Sequence, residues 1–160
     1  MDMSPNQPSR AAGSYGMAAV FLHPWHLWRL PPAAASQADL AAVQGGEARR
    51  VVCFLRGTYA PFPSKLCQGW LDLTNDDAQW KPLLKGRQPA QQIAGPIESV
   101  QTRRADGREP GVPQTVRTPP CEVVTCQTPS GSFDLVVPHA DVPLVVGYFS
   151  RSDQPASLPA

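Results

Sequence analysis

The chain has 160 residues, 42% of them hydrophobic and 17% charged, with a formal net charge of +1. That length gives one domain with room for a tail. The near-neutral balance argues against a dedicated nucleic-acid binder, which carries a strongly basic face. Nineteen prolines against twelve glycines disfavour long helices, because proline lacks a backbone donor and ends them. No apolar run reaches the roughly 18 residues that a spanning helix needs.

Residues 1–47 differ from the rest. MDMSPNQPSRAAGS is polar and small, and no charged start leads directly into an apolar run, so a signal peptide is not expected. YGMAAVFLHPWHLWRLPP, residues 15–32, is apolar and aromatic but broken by Pro24. AAASQADLAAVQGGEA follows, with a short helix expected around Gln37 to Val43. This region is expected to be a poorly ordered arm, dispensable for folding of the domain over 48–151. The end of the chain, residues 152–160, is expected to be equally loose.

Residues 48–151 read as about seven short strands and one helix. RRVVCFLRG alternates Val51, Cys53 and Leu55 against Val52, Phe54 and Arg56. QGWLDLT alternates Leu71 and Leu73 against Trp70 and Asp72, and AQWKPLL places Trp80 on a return strand. QQIAGPIESVQTRR carries Ile93, Ile97 and Val100, with Gly95-Pro96 marking a bulge or edge. VPQTVRT is a weaker strand candidate. CEVVTCQT and SFDLVVP flank the turn signal Pro129-Ser130-Gly131. DVPLVVGYFSR sets Val142, Val145, Val146 and Phe149 at helical spacing, with Asp141 as N-cap and Pro143 harmless in the first turn.

The stretch GWLDLTNDDAQWKP, residues 69–82, concentrates Asp72, Asp76 and Asp77. A calcium loop needs ligands at alternate positions, a Gly at its sixth position and a closing Glu. That spacing is missing, so Thr74 to Asp77 is expected to be a hairpin turn, built from residues that bond their own backbone. The pattern Gly69-x-Leu71-x-Leu73-Thr74-Asn75, a turn, then Trp80 resembles the second and third strands of GRAM and bacterial pleckstrin-homology-like domains. Ile97-Glu98-Ser99-Val100 resembles their "I-x-x-V" strand, Cys121 to Val137 their late hairpin, and Asp141 to Ser150 their closing helix. The resemblance spans roughly residues 49–150 and implies a seven-stranded, partly open β-barrel capped by the C-terminal helix. The Pro-rich segment 105–120 departs from a compact member, and the first strand pair lacks the dense Lys/Arg cluster of phosphoinositide-binding relatives.

Structural zinc sites bring ligands in close pairs. Thirteen residues separate Cys53 from Cys67, and Cys121 and Cys126 are five positions apart, so they point to opposite faces of a strand. Reduced, buried thiols are expected, with no metal or cofactor, although Cys53 and Cys121 could meet across strands. Ser132, His139 and Asp141 lie close in sequence, but triads are defined by geometry and no G-x-S-x-G elbow is present. Lys81, Lys85, Arg87, Arg103, Arg104 and Arg108 are candidates for an anion- or membrane-binding patch. Trp25, Trp28, Trp70 and Trp80 are candidates for partner contact.

The leading expectation is a non-enzymatic, cytoplasmic binding module that recognises a protein or peptide, with an anionic membrane face the lesser candidate. The alternative is a small-ligand-binding or catalytic barrel using Cys126, His139 or Asp141. A filled interior beneath the last helix would favour surface recognition, and an open polar cavity would favour a small ligand.

Overall fold

The computed structural model describes residues 8–11, 33–83, 90–93, 95–105 and 121–151. They form one open sheet of eight strands, with helices packed on one face. The strands are β1 (Ser9–Arg10), β2 (Arg49–Gly57), β3 (Cys67–Leu73), β4 (Ala78–Pro82), β5 (Gln91–Gln92), β6 (Ser99–Arg104), β7 (Cys121–Thr128) and β8 (Gly131–Pro138). The helices are α1 (Ala33–Gln44) and α2 (Val142–Ser150), the latter entered through a 3-10 turn over His139–Asp141.

The strands run in the order β5-β4-β3-β2-β8-β7-β6. All these neighbours are antiparallel. The order is a meander folded so that its first long strand meets its last. β2 pairs with β3 over Arg49 to Leu55 and with β8 over Phe54 to Gly57. β1 is an eighth strand that the sequence pattern did not suggest. It lies parallel to the start of β2, and Ala11 then donates its N–H to the Arg50 carbonyl at 2.8 Å.

β2 supplies residues to both faces, and five of them in a row, Val51 to Leu55, are buried. One face carries Val51, Cys53, Leu55, Leu71, Leu73, Trp80, Val124, Cys126, Leu135 and Val137, together with the buried residues of both helices. The opposite face carries a second cluster of Val52, Phe54, Leu66, Val123 and Val136. Alternation along each strand divides these sets as the sequence predicts.

QQIAGPIESVQTRR is two strands and not one. Between them the chain passes through Gly95 at φ +100°, a left-handed conformation that glycine adopts without penalty. The bend leaves β5 with β4 and sends β6 to β7, so the sheet stays open between its two ends. The strand expected at VPQTVRT lies outside the described residues.

The expected arm contains two segments that belong to the fold. Helix α1 starts four residues before the expected Gln37. It places Ser36, Leu40 and Val43 in one stripe, at i, i+4 and i+7. Val43 is buried in the main core and Leu40 packs against it. Arg49 of β2 bonds Asp39 of α1 at 2.8 Å, tying helix to sheet. The expected boundary at residue 47 falls between α1 and β2, and α1 packs on the sheet from its N-terminal side. The remainder of the arm, residues 1–7 and 12–32 with Trp25 and Trp28, lies outside the described residues, as do residues 152–160.

Helix α2 buries Val142, Leu144, Val145 and Phe149. Asp141 occupies the N-cap position but makes no side-chain capping bond, because it is fully buried with a helical backbone. Its place is taken from another element: the Ser36 hydroxyl of α1 accepts the Leu144 N–H at 3.0 Å. One helix thus satisfies a first-turn donor of the other. Gly147 lets the two helices approach, since a Cβ there would lie 2.5 Å from Leu40 Cδ2. Among the described residues no helix is long and apolar enough to cross a membrane.

Replacing Ser36 by Ala orphans a buried N–H and should cost about 1–3 kcal/mol in urea unfolding. Removing residues 1–47 should lower stability further, because it also uncovers the face of α2 that Leu40 and Val43 touch. An unchanged urea midpoint for either variant would show that α1 does not support α2.

Candidate functional site

The turn between β3 and β4 is built by its own side chains. The Thr74 N–H donates to the Asp77 carbonyl at 2.9 Å, and the Asp77 N–H donates to Thr74 Oγ1 at 3.0 Å. The Thr74 hydroxyl donates to Asp77 Oδ1 at 2.7 Å, and Gln79 Nε2 donates to Asp77 Oδ2 at 2.9 Å. These bonds favour the ionised carboxylate, Thr74 most and Gln79 next, and hold Asp77 below the usual aspartate range against a small opposing effect of burial. Asp77 therefore closes a hairpin, as the pattern predicts. Asp76 beside it is exposed.

That turn forms one wall of a partly open cleft of about 250 Å³. The cleft sits where the chain crosses from β5 to β6. Asp76 and Asp77 line one side and Gly95 the other, Ile93, Ile97 and Phe149 supply apolar surface, and Tyr148 reaches in from the end of α2. Phe149 is held by a run of ring contacts, with Phe133 at 5.8 Å and Phe62 at 5.2 Å beyond it. Burial pushes the Tyr148 phenol up to about 12, with Asp77 and Asp76 adding to the rise and Arg151 opposing it. The phenol therefore stays a neutral donor beside two carboxylates. Small-molecule sites typically occupy about 300–1,000 Å³. This cleft lies below that range.

β6 borders this cleft at its start. Residues Gln101 to Arg104 are all exposed. Among the described residues β6 pairs with β7 alone as a strand and ends the sheet on that side.

The tryptophans expected to meet a partner have different fates. Trp80 is 2% exposed and belongs to the core. Its ring lies against Gly69, where a Cβ would come within 2.7 Å of Nε1. Gly69 is thus the space that the indole fills, and the period-2 pattern alone placed Trp80 on the apolar side without revealing that fit. The indole Nε1 and the Oε1 of Gln91, its cross-strand neighbour, are buried without hydrogen-bond partners. Trp70 is half-buried on the opposite face, with the Arg50 guanidinium 4.8 Å from its ring centroid. Arg50 also grips Asp72 through both carboxylate oxygens, at 2.7 and 2.8 Å.

The expected basic patch is not assembled by strand pairing. Lys81 lies on β4 and Arg103 and Arg104 on β6, with β3, β2, β8 and β7 between them along the hydrogen-bonded path. Lys85, Arg87 and Arg108 lie outside the described residues.

Neither catalytic grouping comes together. Ser132 starts β8 and His139 follows its end. They are seven positions apart, roughly 23 Å along a strand. His139 is exposed and shares a 3.0 Å contact with Glu122, while Asp141 is buried. Cys126 lies in the main core and Cys121 packs against the second cluster, on opposite faces as the spacing predicts. Cys53 is in the main core too, so it does not meet Cys121. Burial pushes the Cys121 and Cys126 thiols up to about 12 and Cys53 higher still, which removes thiolate character at neutral pH. Among the described residues no three His, Cys, Asp or Glu side chains are grouped to hold a metal ion.

Comparison with known proteins returns no match: no family model fits the chain, and no curated protein or solved structure matches it.

Folding lowers the Asp77 pKa, so its contribution to stability is present above the ordinary aspartate value of 3.8 and is lost as pH falls through the lowered value. Thr74→Val should therefore destabilise more at about pH 6 than at about pH 2. Urea midpoints at both pH values check this, and an equal loss at both would break the link to the carboxylate. Gly69→Ala should cost roughly 1–3 kcal/mol, because the added Cβ meets both the Lys81 carbonyl and the Trp80 indole, read as a lower midpoint with altered tryptophan fluorescence.

Proposed function

We propose that this chain is a non-enzymatic binding module of pleckstrin-homology-like type, which recognises an extended segment of a partner protein by adding it as a strand along β6. The observation that carries the reading is the open gap in the sheet: among the described residues β6 pairs with β7 alone as a strand, and its start lies beside the cleft. Main-chain hydrogen bonds along such an edge supply affinity, and a neighbouring pocket for one side chain supplies selectivity. The strand order, a meander whose first long strand meets its last, together with a helix closing one face, supports the partly open barrel that the resemblance implies.

Other features favour protein recognition over chemistry. The cleft is small for a cofactor, and the three cysteines with raised pKa values are poor nucleophiles. All four cysteines are free, which suits a reducing, cytoplasmic setting. An acidic cleft is a poor seat for an anionic lipid headgroup, which favours the protein-partner reading over the membrane surface.

Selection of ten-residue peptides from a random display library on the immobilised full chain tests the reading. Selected peptides should slow amide exchange along Ser99–Arg104. Methylating alternate backbone nitrogens of a selected peptide should abolish binding, since it removes the ladder donors. Peptides that bind while leaving β6 exchange unchanged would refute strand addition.

A further inference from the structure

The cleft at the β5–β6 crossing is held in shape on three sides. One wall is the hairpin turn that Thr74 and Asp77 close with their own bonds. A second is the crossing itself, where the Ile93 N–H donates to the Ala78 carbonyl at 2.8 Å and the Glu98 N–H to the Gln127 carbonyl at 2.7 Å. The third is the end of α2, where the Tyr148 ring meets Phe149 edge-on at 5.3 Å and Phe149 meets Phe133 in the same manner. A site held in this way costs little to organise when a ligand enters.

The walls differ in chemistry. Ile93, Ile97 and Phe149 offer apolar surface. Asp76 and Asp77 stand on one side, and both act on the Tyr148 phenol, while Gly95 on the other side brings no side chain. Asp76 is exposed and enters no ion pair among the described residues. Asp77 has given one lone pair of each oxygen to Thr74 and Gln79 and keeps the others. Glu98, exposed and next to Ile97 in the chain, adds to the negative charge. Arg151, exposed after α2, opposes it without lining the cleft.

Resting on the reading of a protein partner above, and independent of where its backbone lies, we infer that this cleft seats one lysine side chain of that partner, with its methylenes on Ile93, Ile97 and Phe149 and its ammonium shared by Asp76, Asp77 and the Tyr148 oxygen. Three observations select this occupant. The carboxylates line one wall only, so the occupant has a single cationic head and a neutral far end, unlike a diamine. Asp77 no longer offers two free oxygens to the paired donors of a guanidinium, whereas a compact ammonium divides its three donors among several acceptors. The apolar lining is covered by a methylene stem, which a bare metal ion lacks.

The test follows the backbone amide shifts of the full chain by NMR as Nα-acetyl-lysine N-methylamide is added. Shifts at Asp76, Asp77, Gly95 and Tyr148 should saturate together. The neutral isostere, Nα-acetyl-norleucine N-methylamide, should bind about tenfold more weakly. Asp76→Asn should cut that preference to about threefold or less, and it leaves the turn bonds of Thr74, Asp77 and Gln79 in place. Equal affinities for the two derivatives, or an undiminished preference in the Asp76→Asn variant, would overturn the cationic assignment. Tighter binding of the matching arginine derivative would overturn the ammonium. Tighter binding of n-pentylamine would give the cleft to a free amine and not to a partner's side chain. Absence of a saturable shift with every probe would overturn the site itself. Amide exchange along Ser99–Arg104 with the selected peptides is a separate readout, so strand addition stands or falls without these results.

Discussion

The structure depends on how β2 is held. This nine-residue strand is bonded to β3 along most of one edge, and to β1 and then β8 along the other. Its five central residues are buried without interruption, so both faces of the sheet are organised from one segment. Meeting β8 brings the last strand back to the first. This contact, between residues some 80 positions apart, carries a large loop-closure entropy that the burial of Leu55, Leu135 and Phe133 must offset. Ionic ties cross the same junction. Arg56 bonds Asp134 at 2.9 Å, and Thr125 donates to the other oxygen of that carboxylate at 2.7 Å, linking β2, β8 and β7 on one face.

Once β2 and β8 are joined, the remaining geometry has little freedom. Among the described residues the meander ends in β5 on one side and β6 on the other. Helix α2 follows β8 directly and covers the main core near the opening, and α1 clamps it through Leu40, Ser36 and the missing Cβ of Gly147. The cleft is what remains at the corner where β5 gives way to β6. Its acidic wall comes from a hairpin turn and its phenol from the last turn of a helix. Neither element was shaped by the other in sequence, and the sheet's curvature brings them together.

Several features were legible from residue order because they rest on local periodicity. The strands β2, β3, β4, β7 and β8, the turn at Thr74 to Asp77 and most of the buried stripe of α2 follow from alternation, from side chains that bond nearby backbone and from i, i+3, i+4 spacing, although on α2 Leu144 is buried outside the expected set and Val146 is only partly buried. The opposite orientation of Cys121 and Cys126 follows from parity alone. The helix α1 was only partly legible, because its Ala-rich sequence has a weak apolar stripe. Its one decisive polar residue, Ser36, matters through a partner 108 positions away. β1 has two residues and no pattern to read. The break at Gly95 was visible as a glycine, but its consequence, a sheet opened at that point, was not.

The sequence by itself determined which segments extend, which one coils at the C-terminal end and which side of each strand is apolar, because those properties depend on neighbours within a few residues. Tertiary structure alone decided that Trp80 belongs to the core and not to a contact surface, that Asp141 is buried while Ser36 caps the helix in its stead, and that Asp76, Asp77 and Tyr148 share one cleft. Each of these depends on contacts between segments far apart along the chain. Periodicity states which face a residue occupies, and only the path of the backbone states what that face meets.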